Sequence, residues 1–344
     1  LTGWQMRYAR KPARVKAEHS ETPYMTDRAM AFMEEAGDEP WCLHFSLIKP
    51  HWPYVAPAPY NDMYGPNQIM PANRTAAERD NPHPVVAAYM QHDESLTFQH
   101  DETRSTVIPV YMGLVKQIDD ELGRLFSYMD DKGLSDNTMI VFTSDRGDFL
   151  GDHWLGEKEL FHEASARIPM IIVDPSKAAD ATRGSVSDAL VEAIDLIPTF
   201  VEACDGDVAR QRLEGRSLLP LLHSTTMPDD WREAAFSELD YGFRGARNSL
   251  LREPDAALAW MVRTDRWKFI YYDDYPPQLF DLENDPEEQN DLGTSAAHAA
   301  IREEKQDRLF AWMRHRRNRR TVSDEGVEAR TDNSQKSGFR IGEW

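Results

Sequence analysis

The order of apolar and polar residues predicts an alternation of helices and short strands over residues 1–215. Helical spacing of apolar residues covers residues 27–35, capped by Thr26, residues 110–129, closed by Gly133, and residues 195–203. Short apolar runs typical of buried strands occupy residues 41–48, 139–144 and 168–173. This alternation predicts an α/β fold with a mostly parallel sheet and helices on both faces. The polar, Pro-rich stretch at residues 57–104 is expected to form a long loop with short helical pieces.

The pattern changes after residue 215. Two apolar runs at residues 260–264 and 267–272 flank Asp265 and Arg266, which is the signature of a hairpin, and residues 278–282 offer a third strand. A helix over residues 297–315 follows, so a small antiparallel sheet with a helix is expected. We therefore predict a core domain at residues 1–215, a small α+β subdomain at 216–320 and a tail at 321–344.

The composition narrows the class of protein. A hydrophobic content of 41% with 28% charged residues is typical of a globular protein, and the apolar runs are too short to span a bilayer. The net charge of −20 argues against general nucleic-acid binding, because phosphates would be repelled. Cys42 and Cys204 have neither metal-site spacing nor a disulfide framework, which favours a cytoplasmic location.

Residues 139–158, MIVFTSDRGDFLGDHWLGEK, contain the densest group of side chains that could bind a metal or transfer a proton. An apolar strand ends there at a dense set of acidic and basic side chains, namely Asp145, Asp148, Asp152, His153 and Lys158. Catalytic and ligand-binding residues in open α/β sheets lie at the carboxyl ends of strands. The concentration of charged side chains at this strand end therefore predicts a hydrolytic site. Asp152 and His153 are expected to brace the loop rather than to contact a substrate.

Nine ordered segments carry a resemblance to a known family. They include the segment Lys-Pro-His-x-Pro-Tyr, the run Thr-Ser-Asp-x-Gly-Asp-x-x-Gly-Asp-His and the run Leu-Phe-Asp-Leu-x-x-Asp-Pro-Glu-Glu. The segments lie at residues 49–54, 57–60, 118–123, 143–153, 156–158, 165–169, 195–199, 215–218 and 279–288. The chain thus resembles the sulfatase and phosphonate monoester hydrolase branch of the alkaline-phosphatase superfamily, over essentially its whole length.

The resemblance implies a reaction and roles for individual residues. A divalent cation (Ca²⁺, Mn²⁺ or Mg²⁺) would polarise a sulfuryl or phosphoryl oxygen of a small anionic ester, and a formylglycine would attack in line. Asp145 matches a metal-ligand carboxylate. His51 matches the histidine near the leaving-group oxygen, and Lys158 matches a lysine that balances charge on the transferring group.

Two departures from the family pattern limit what the resemblance implies. Arg146 stands where the family has a second metal ligand, His or Asn, and a guanidinium cannot ligate a cation. The family's nucleophile motif, Cys/Ser-x-Pro-Ser/Ala-Arg, is absent, and neither Cys42 nor Cys204 fits it. We therefore expect an alkaline-phosphatase-like fold that is incomplete at its N-terminus, and a chain that does not complete the reaction by itself.

Three functions stay open at this stage. The first is a metal-dependent hydrolase of sulfate esters or of phosphonate and phosphate esters, between which the sequence does not choose. The second is a truncated or pseudoenzyme remnant kept for binding or assembly, and a homo-oligomer is compatible with either. The third is a nucleic-acid or anionic-surface binder that uses the basic run Arg314–Arg320, although the dipole of the preceding helix explains that run more simply.

Overall fold

The computed structural model describes residues Met6–Arg316 and Thr321–Ala329. The C-terminal part of the basic run Arg314–Arg320 and most of the predicted tail at residues 321–344 therefore lie outside the described residues. In the described part of the chain, no helix is long and apolar enough to cross a membrane.

Helices and strands are given in chain order. The α-helices are α1 Glu21–Ala36, α2 Ala77–Asp80, α3 Pro84–Tyr89, α4 Asp93–Phe98, α5 Asp101–Asp131, α6 Glu163–Ala166, α7 Leu196–Ala203, α8 Leu219–His223, α9 Gly245–Ser249, α10 Ala299–Arg314 and α11 Asp324–Glu328. The strands are β1 Ile140–Thr143, β2 Met170–Val173, β3 Ala235–Asp240, β4 Leu258–Arg263, β5 Trp267–Tyr272 and β6 Gln278–Asp281.

The chain divides into two compact units. One unit comprises the residues up to Pro175 together with Tyr241–Pro254, and the other comprises Ser176–Asp240 and the residues from Asp255 onward. This division differs from the domains expected from the sequence, with boundaries at residues 215 and 320, which stay predictions. Both segments that resemble the active site of the hydrolase family, residues 49–54 and 143–158, belong to the first unit.

The long helix α5 organises the first unit. One part of it packs against α1, where Leu125 and Met129 meet Ala29 and Met33. Another part passes so close to the preceding loop that a Cβ on Gly113 would lie 1.9 Å from the carbonyl oxygen of Tyr60, so only glycine fits there. This close approach fixes the stretch of chain that begins with the motif at residues 49–54. The apolar cluster at this contact consists of Ala9, Tyr54, Ala56, Phe98, Val107, Val110 and Leu114.

Strand direction in the first unit differs from the prediction. β1 and β2 pair antiparallel, with Ile140 opposite Val173 and Thr143 opposite Met170, whereas a mostly parallel sheet was expected. The connection between them, residues 144–169, contains only the four-residue helix α6 and a 3₁₀ turn, and it lacks the long helix that usually carries the chain between parallel neighbours. Every strand pair among the described residues is antiparallel.

The predicted strand at residues 41–48 is also wrong. This segment has no regular secondary structure and forms no ladder with any described residue. Three of its side chains, those of Trp41, Leu43 and Phe45, pack on the cluster between α1 and α5, so its apolar character reflects contact with helices. The apolar run extends beyond that contact, because its last residue, Ile48, is 71% exposed.

The second unit contains the small antiparallel sheet with a helix that the sequence predicts. Its four strands are in the order β3-β4-β5-β6, and α10 packs on β4 and β5. The tight connection between β4 and β5 is closed by a hydrogen bond from Thr264 N to Trp267 O of 2.8 Å, as the hairpin signature indicates. The core between sheet and helix is formed by Ala234, Val262, Phe269, Leu279 and Leu309.

Candidate active site

The loop that follows β1 is held close to helix α6. Gly147 N donates a hydrogen bond of 2.8 Å to Ser165 O, and a Cβ on Gly147 would lie 1.9 Å from Ala164 O. Only glycine therefore permits this approach. The Ser144 hydroxyl donates to the Arg146 carbonyl oxygen at 2.7 Å. The turn at the end of β1 thus places two adjacent charged side chains, Asp145 and Arg146, at the edge of the unit.

Asp145 and Arg146 interact with each other. Arg146 Nε lies 3.5 Å from Asp145 Oδ2, and the Asp145 side chain is 81% exposed. The guanidinium is a permanent cation, so it competes with any other cation for this carboxylate. Asp145 is therefore available to solvent, but with a positive charge already beside it.

His51 and Lys158, which are far apart in sequence, meet in the structure. Lys158 Nζ lies 2.8 Å from His51 Nε2, and His51 Nδ1 lies 2.7 Å from the carbonyl oxygen of Trp52. An ammonium only donates and a carbonyl only accepts, so this pattern fits the neutral imidazole with its proton on Nδ1. The Nε2 lone pair then accepts a hydrogen bond from the Lys158 ammonium.

Asp148 lies near Lys158 and is hydrogen-bonded to the core. Its Oδ2 accepts a 2.8 Å hydrogen bond from the hydroxyl of the buried Tyr54, and its Oδ1 accepts from Leu150 N at 3.1 Å. Burial raises the pKa of Asp148 to about 6, although these two hydrogen bonds and the nearby Lys158 oppose that rise. Asp148 therefore remains protonated to a higher pH than an exposed aspartate.

Asp152 and His153 brace the loop, as the sequence predicts. Asp152 Oδ1 accepts a 2.9 Å hydrogen bond from Asn73 N, and His153 Nδ1 lies 2.7 Å from Glu78 Oε1. The His153 ring, 2% exposed, stacks on the ring of His162 with centroids 4.2 Å apart. Both residues are thus used to fasten the loop to the segment at residues 73–78.

The backbone of this loop is strained at several positions. Left-handed φ values occur at five non-glycine residues, Leu150, His153, Trp154, Glu157 and Glu159. Each such residue costs of order 1–3 kcal/mol and persists only where surrounding contacts hold it. Strain of this kind clusters at functional sites, and here it surrounds Lys158.

Comparison with known proteins identifies the family. Residues 4–206 match the Sulfatase family, and residues 151–315 match the family described as N-sulphoglucosamine sulphohydrolase, C-terminal. The chain belongs to the sulfatase family. It is 33% identical over 318 residues to the multifunctional alkaline phosphatase superfamily protein PehA of Trinickia caryophylli, covering 88% of this chain and 61% of that protein.

Solved structures of phosphonate monoester hydrolases share the fold of this sulfatase-family chain. The enzyme of Agrobacterium radiobacter aligns with a TM-score of 0.82 at 26% identity, over 92% of this chain and 66% of its own. The enzyme of Silicibacter pomeroyi aligns with a TM-score of 0.80 at 31% identity, over 92% and 65%. These likenesses confirm the alkaline-phosphatase-like fold. The chain spans less than two thirds of the length of each of these relatives.

Members of the sulfatase family generally depend on a divalent metal, but the described residues of this chain do not fit one. Asp145 is a single carboxylate that already pairs with Arg146. Among the residues that the structure describes, no group of three or more His, Cys, Asp or Glu side chains is placed to hold a metal ion. Hard cations take six or more oxygen ligands, so a lone carboxylate beside a guanidinium is a poor site.

Arg146→His is expected to raise the affinity of the chain for Mn²⁺ at least about tenfold. The substitution removes a unit charge a few ångströms from the ion, worth roughly 4 kcal/mol at an intermediate dielectric, and adds an imidazole ligand. The electron paramagnetic resonance signal of free Mn²⁺ measures the affinity. Arg146→Met removes the charge without adding a ligand, so its Mn²⁺ affinity should lie between those of the unmodified chain and Arg146→His. Equal affinities for all three proteins would contradict this expectation.

Sequence reasoning missed three charged residues that the structure places around Lys158. Glu157 and Glu159 are its neighbours along the chain, and Arg244 contacts both of them from a distant segment. The alternation of acid and base at residues 157–159 is a weak local signal. Nothing in the sequence around residue 244 indicates its partners, because that segment was assigned to a different domain.

Proposed function

We propose that this chain forms part of a hydrolase of small anionic esters, either sulfate esters or phosphonate and phosphate esters. In this proposal, a formylglycine outside these 344 residues provides the nucleophile. The observation that carries the proposal is the 2.8 Å contact between Lys158 Nζ and His51 Nε2, which unites the two residues that the family resemblance assigns to the transferring group and the leaving group. The relatives support the same class, since they include an arylsulfatase of Clostridium perfringens and a choline-sulfatase of Rhizobium meliloti.

The two residues have complementary tasks in such a reaction. The Lys158 ammonium attracts a non-bridging oxygen of the sulfuryl or phosphoryl group and balances the charge that develops there. When the bond from sulfur or phosphorus to the ester oxygen breaks, that oxygen needs a proton; the Lys158 ammonium can give one to His51 Nε2, and the imidazolium can pass it to the leaving oxygen. Trp52 O holds the imidazole in one tautomer and one orientation through the Nδ1 proton.

A test begins with the full-length protein, translated from its own start codon. Hydrolysis of 4-nitrophenyl sulfate or of a 4-nitrophenyl phosphonate monoester supports the proposal, and the ratio of the two kcat/KM values assigns the preferred class. The second candidate is a remnant without catalytic activity, and the pairing of Asp145 with Arg146 favours it. Binding of a non-hydrolysable phosphonate without hydrolysis of either ester would support that second candidate.

His51→Ala in the full-length protein is expected to lower kcat/KM about 10²-fold for alkyl esters, whose leaving groups need a proton. The loss should be much smaller for 4-nitrophenyl esters, whose leaving group departs as an anion. Steady-state rates over a series of leaving groups measure the difference. His100→Ala, at an exposed histidine, is the matched control and should leave the series unchanged. A loss that is independent of leaving-group pKa would rule out proton transfer by His51.

A further inference from the structure

The two residues that flank Lys158 along the chain, Glu157 and Glu159, carry carboxylates and have strained backbone conformations. Glu157 has φ +58° and Glu159 has φ +88°. Their side chains are only 6% and 14% exposed. Two buried anions beside one ammonium would be costly without a second cation, because buried charges need partners.

Arg244 supplies that second cation. Its Nη2 lies 3.6 Å from Glu157 Oε2 and 3.1 Å from Glu159 Oε2. Lys158 Nζ lies 3.6 Å from the same Glu157 Oε2. One carboxylate oxygen of Glu157 is therefore shared by the arginine and the lysine, and the cluster of two anions and two cations is neutral in total when both glutamates are ionised.

The segment that carries Arg244 is anchored on both sides. Tyr241 and Ala246 are completely buried, and Ala246 N donates a 2.9 Å hydrogen bond to His92 Nε2. Helix α9 packs against α3 within the same compact unit. The backbone at residue 244 is therefore held by its own segment and does not depend on Glu157 or Glu159 for its position.

We propose that Arg244 is a positioning residue for Lys158: it engages Glu157 and Glu159 and so leaves the Lys158 ammonium free to bind the anionic group of the substrate. This inference rests on the proposed function. Without Arg244, Lys158 would be the one cation left beside Glu157 among the described residues, and the ammonium would be drawn towards the carboxylate and away from the anion. The raised pKa of Glu159, about 7 because of burial, agrees with a site at which uncompensated negative charge is costly.

The role of Arg244 can be measured as anion affinity of the full-length protein. The probe is phenylphosphonate, and its phosphorus-31 NMR signal follows the titration. Arg244→Met is expected to weaken binding about tenfold, whereas Arg244→Lys, which keeps the charge, should stay within about threefold of the unmodified protein. The decisive variant is Arg244→Met combined with Glu157→Gln. It removes the competing carboxylate as well, so its affinity should return to within about threefold.

Two controls separate positioning from general loosening. Arg247→Met makes the same chemical change in the same segment, where Arg247 Nη1 donates to Arg252 O, and it should leave affinity unchanged. Thermal unfolding of each variant checks that the fold is kept. A merely structural role for Arg244 would make the double variant at positions 244 and 157 bind as weakly as, or more weakly than, Arg244→Met.

The outcomes distinguish this inference from the proposed function. Lys158→Met should abolish phenylphosphonate binding. If the unmodified protein does not bind the probe, or if Lys158→Met binds it equally well, the proposed function is overturned and this inference with it. Two outcomes overturn only the positioning role of Arg244, provided that Lys158→Met loses binding. In the first, Arg244→Met binds the probe normally. In the second, Arg244→Met binds weakly and the added Glu157→Gln does not restore its affinity.

Discussion

Lys158→Met is expected to lower kcat/KM of the full-length protein about 10²- to 10³-fold for any anionic ester that it hydrolyses. Methionine has nearly the length of lysine but no charge, so the transferring group loses a cation at the point where its charge develops. Removal of one such electrostatic contact in an active site costs this order of magnitude. The loss of the Lys158 contact to His51 Nε2 adds to the effect, because the ammonium that donates to this nitrogen is removed.

Steady-state kinetics with sulfate and phosphonate esters measures the loss at Lys158. Lys116→Met is the matched control, since Lys116 lies in α5 and pairs with the exposed Asp119 and Asp120 on its own helix. It should leave kcat/KM within about twofold, because exposed pairs contribute little. Lys158→Arg keeps the charge and should recover part of the activity. A full rate in Lys158→Met would remove this residue from the site.

Arg232→Met is expected to destabilise the second unit by about 3–5 kcal/mol, because it leaves a buried carboxylate without a cation. Asp195 is completely buried and accepts from Arg232 through both oxygens, at 2.7 Å to Oδ2 and 2.5 Å to Oδ1. Arg232 also reaches Glu192 Oε2 at 2.8 Å. The same aspartate accepts from the backbone of Arg216, so it joins three parts of the unit.

Urea unfolding measures the free energy of unfolding for Arg232→Met. Arg308→Met is the control within the same unit, since Arg308 pairs at 3.0 Å with Glu233, whose side chain is 80% exposed. The control should lose at most about 1 kcal/mol, as exposed pairs do. If both variants lost equal stability, burial of Asp195 would not explain the effect.

Local sequence patterns were sufficient for elements whose partners are near in the chain. The hairpin of β4 and β5 was predicted because the turn at Asp265 and Arg266 separates two apolar runs that pair with each other. Helix α7 begins directly after Asp195, as predicted. Helix α1 begins at Glu21 and not after Thr26, because Pro23 is tolerated in the first turn of a helix.

Elements that depend on distant partners were not predictable in this way. Strand β3, with the mixed sequence Ala-Phe-Ser-Glu-Leu-Asp, was missed because it is defined by its ladder with β4 and not by alternation. The meeting of His51 with Lys158 followed only from the family resemblance. Arg244 makes its contacts because residues 241–254 belong to the first unit, whereas the residues on either side of them belong to the second. No local sequence pattern indicates that this segment leaves its neighbours.

The raised pKa values beside Lys158 alter the electrostatic field that an approaching anion meets. The formal net charge of −20 counts every carboxyl as ionised and would slow the association of an anionic ester. Near neutral pH part of that charge is absent beside Lys158, since burial raises the pKa of Glu159 to about 7, whereas Asp148, with a pKa raised to about 6, is then mostly ionised. With Glu159 partly protonated, Lys158 and Arg244 face less negative charge than a count of ionised carboxyls gives, so a small anion is repelled less there than the net charge of −20 indicates.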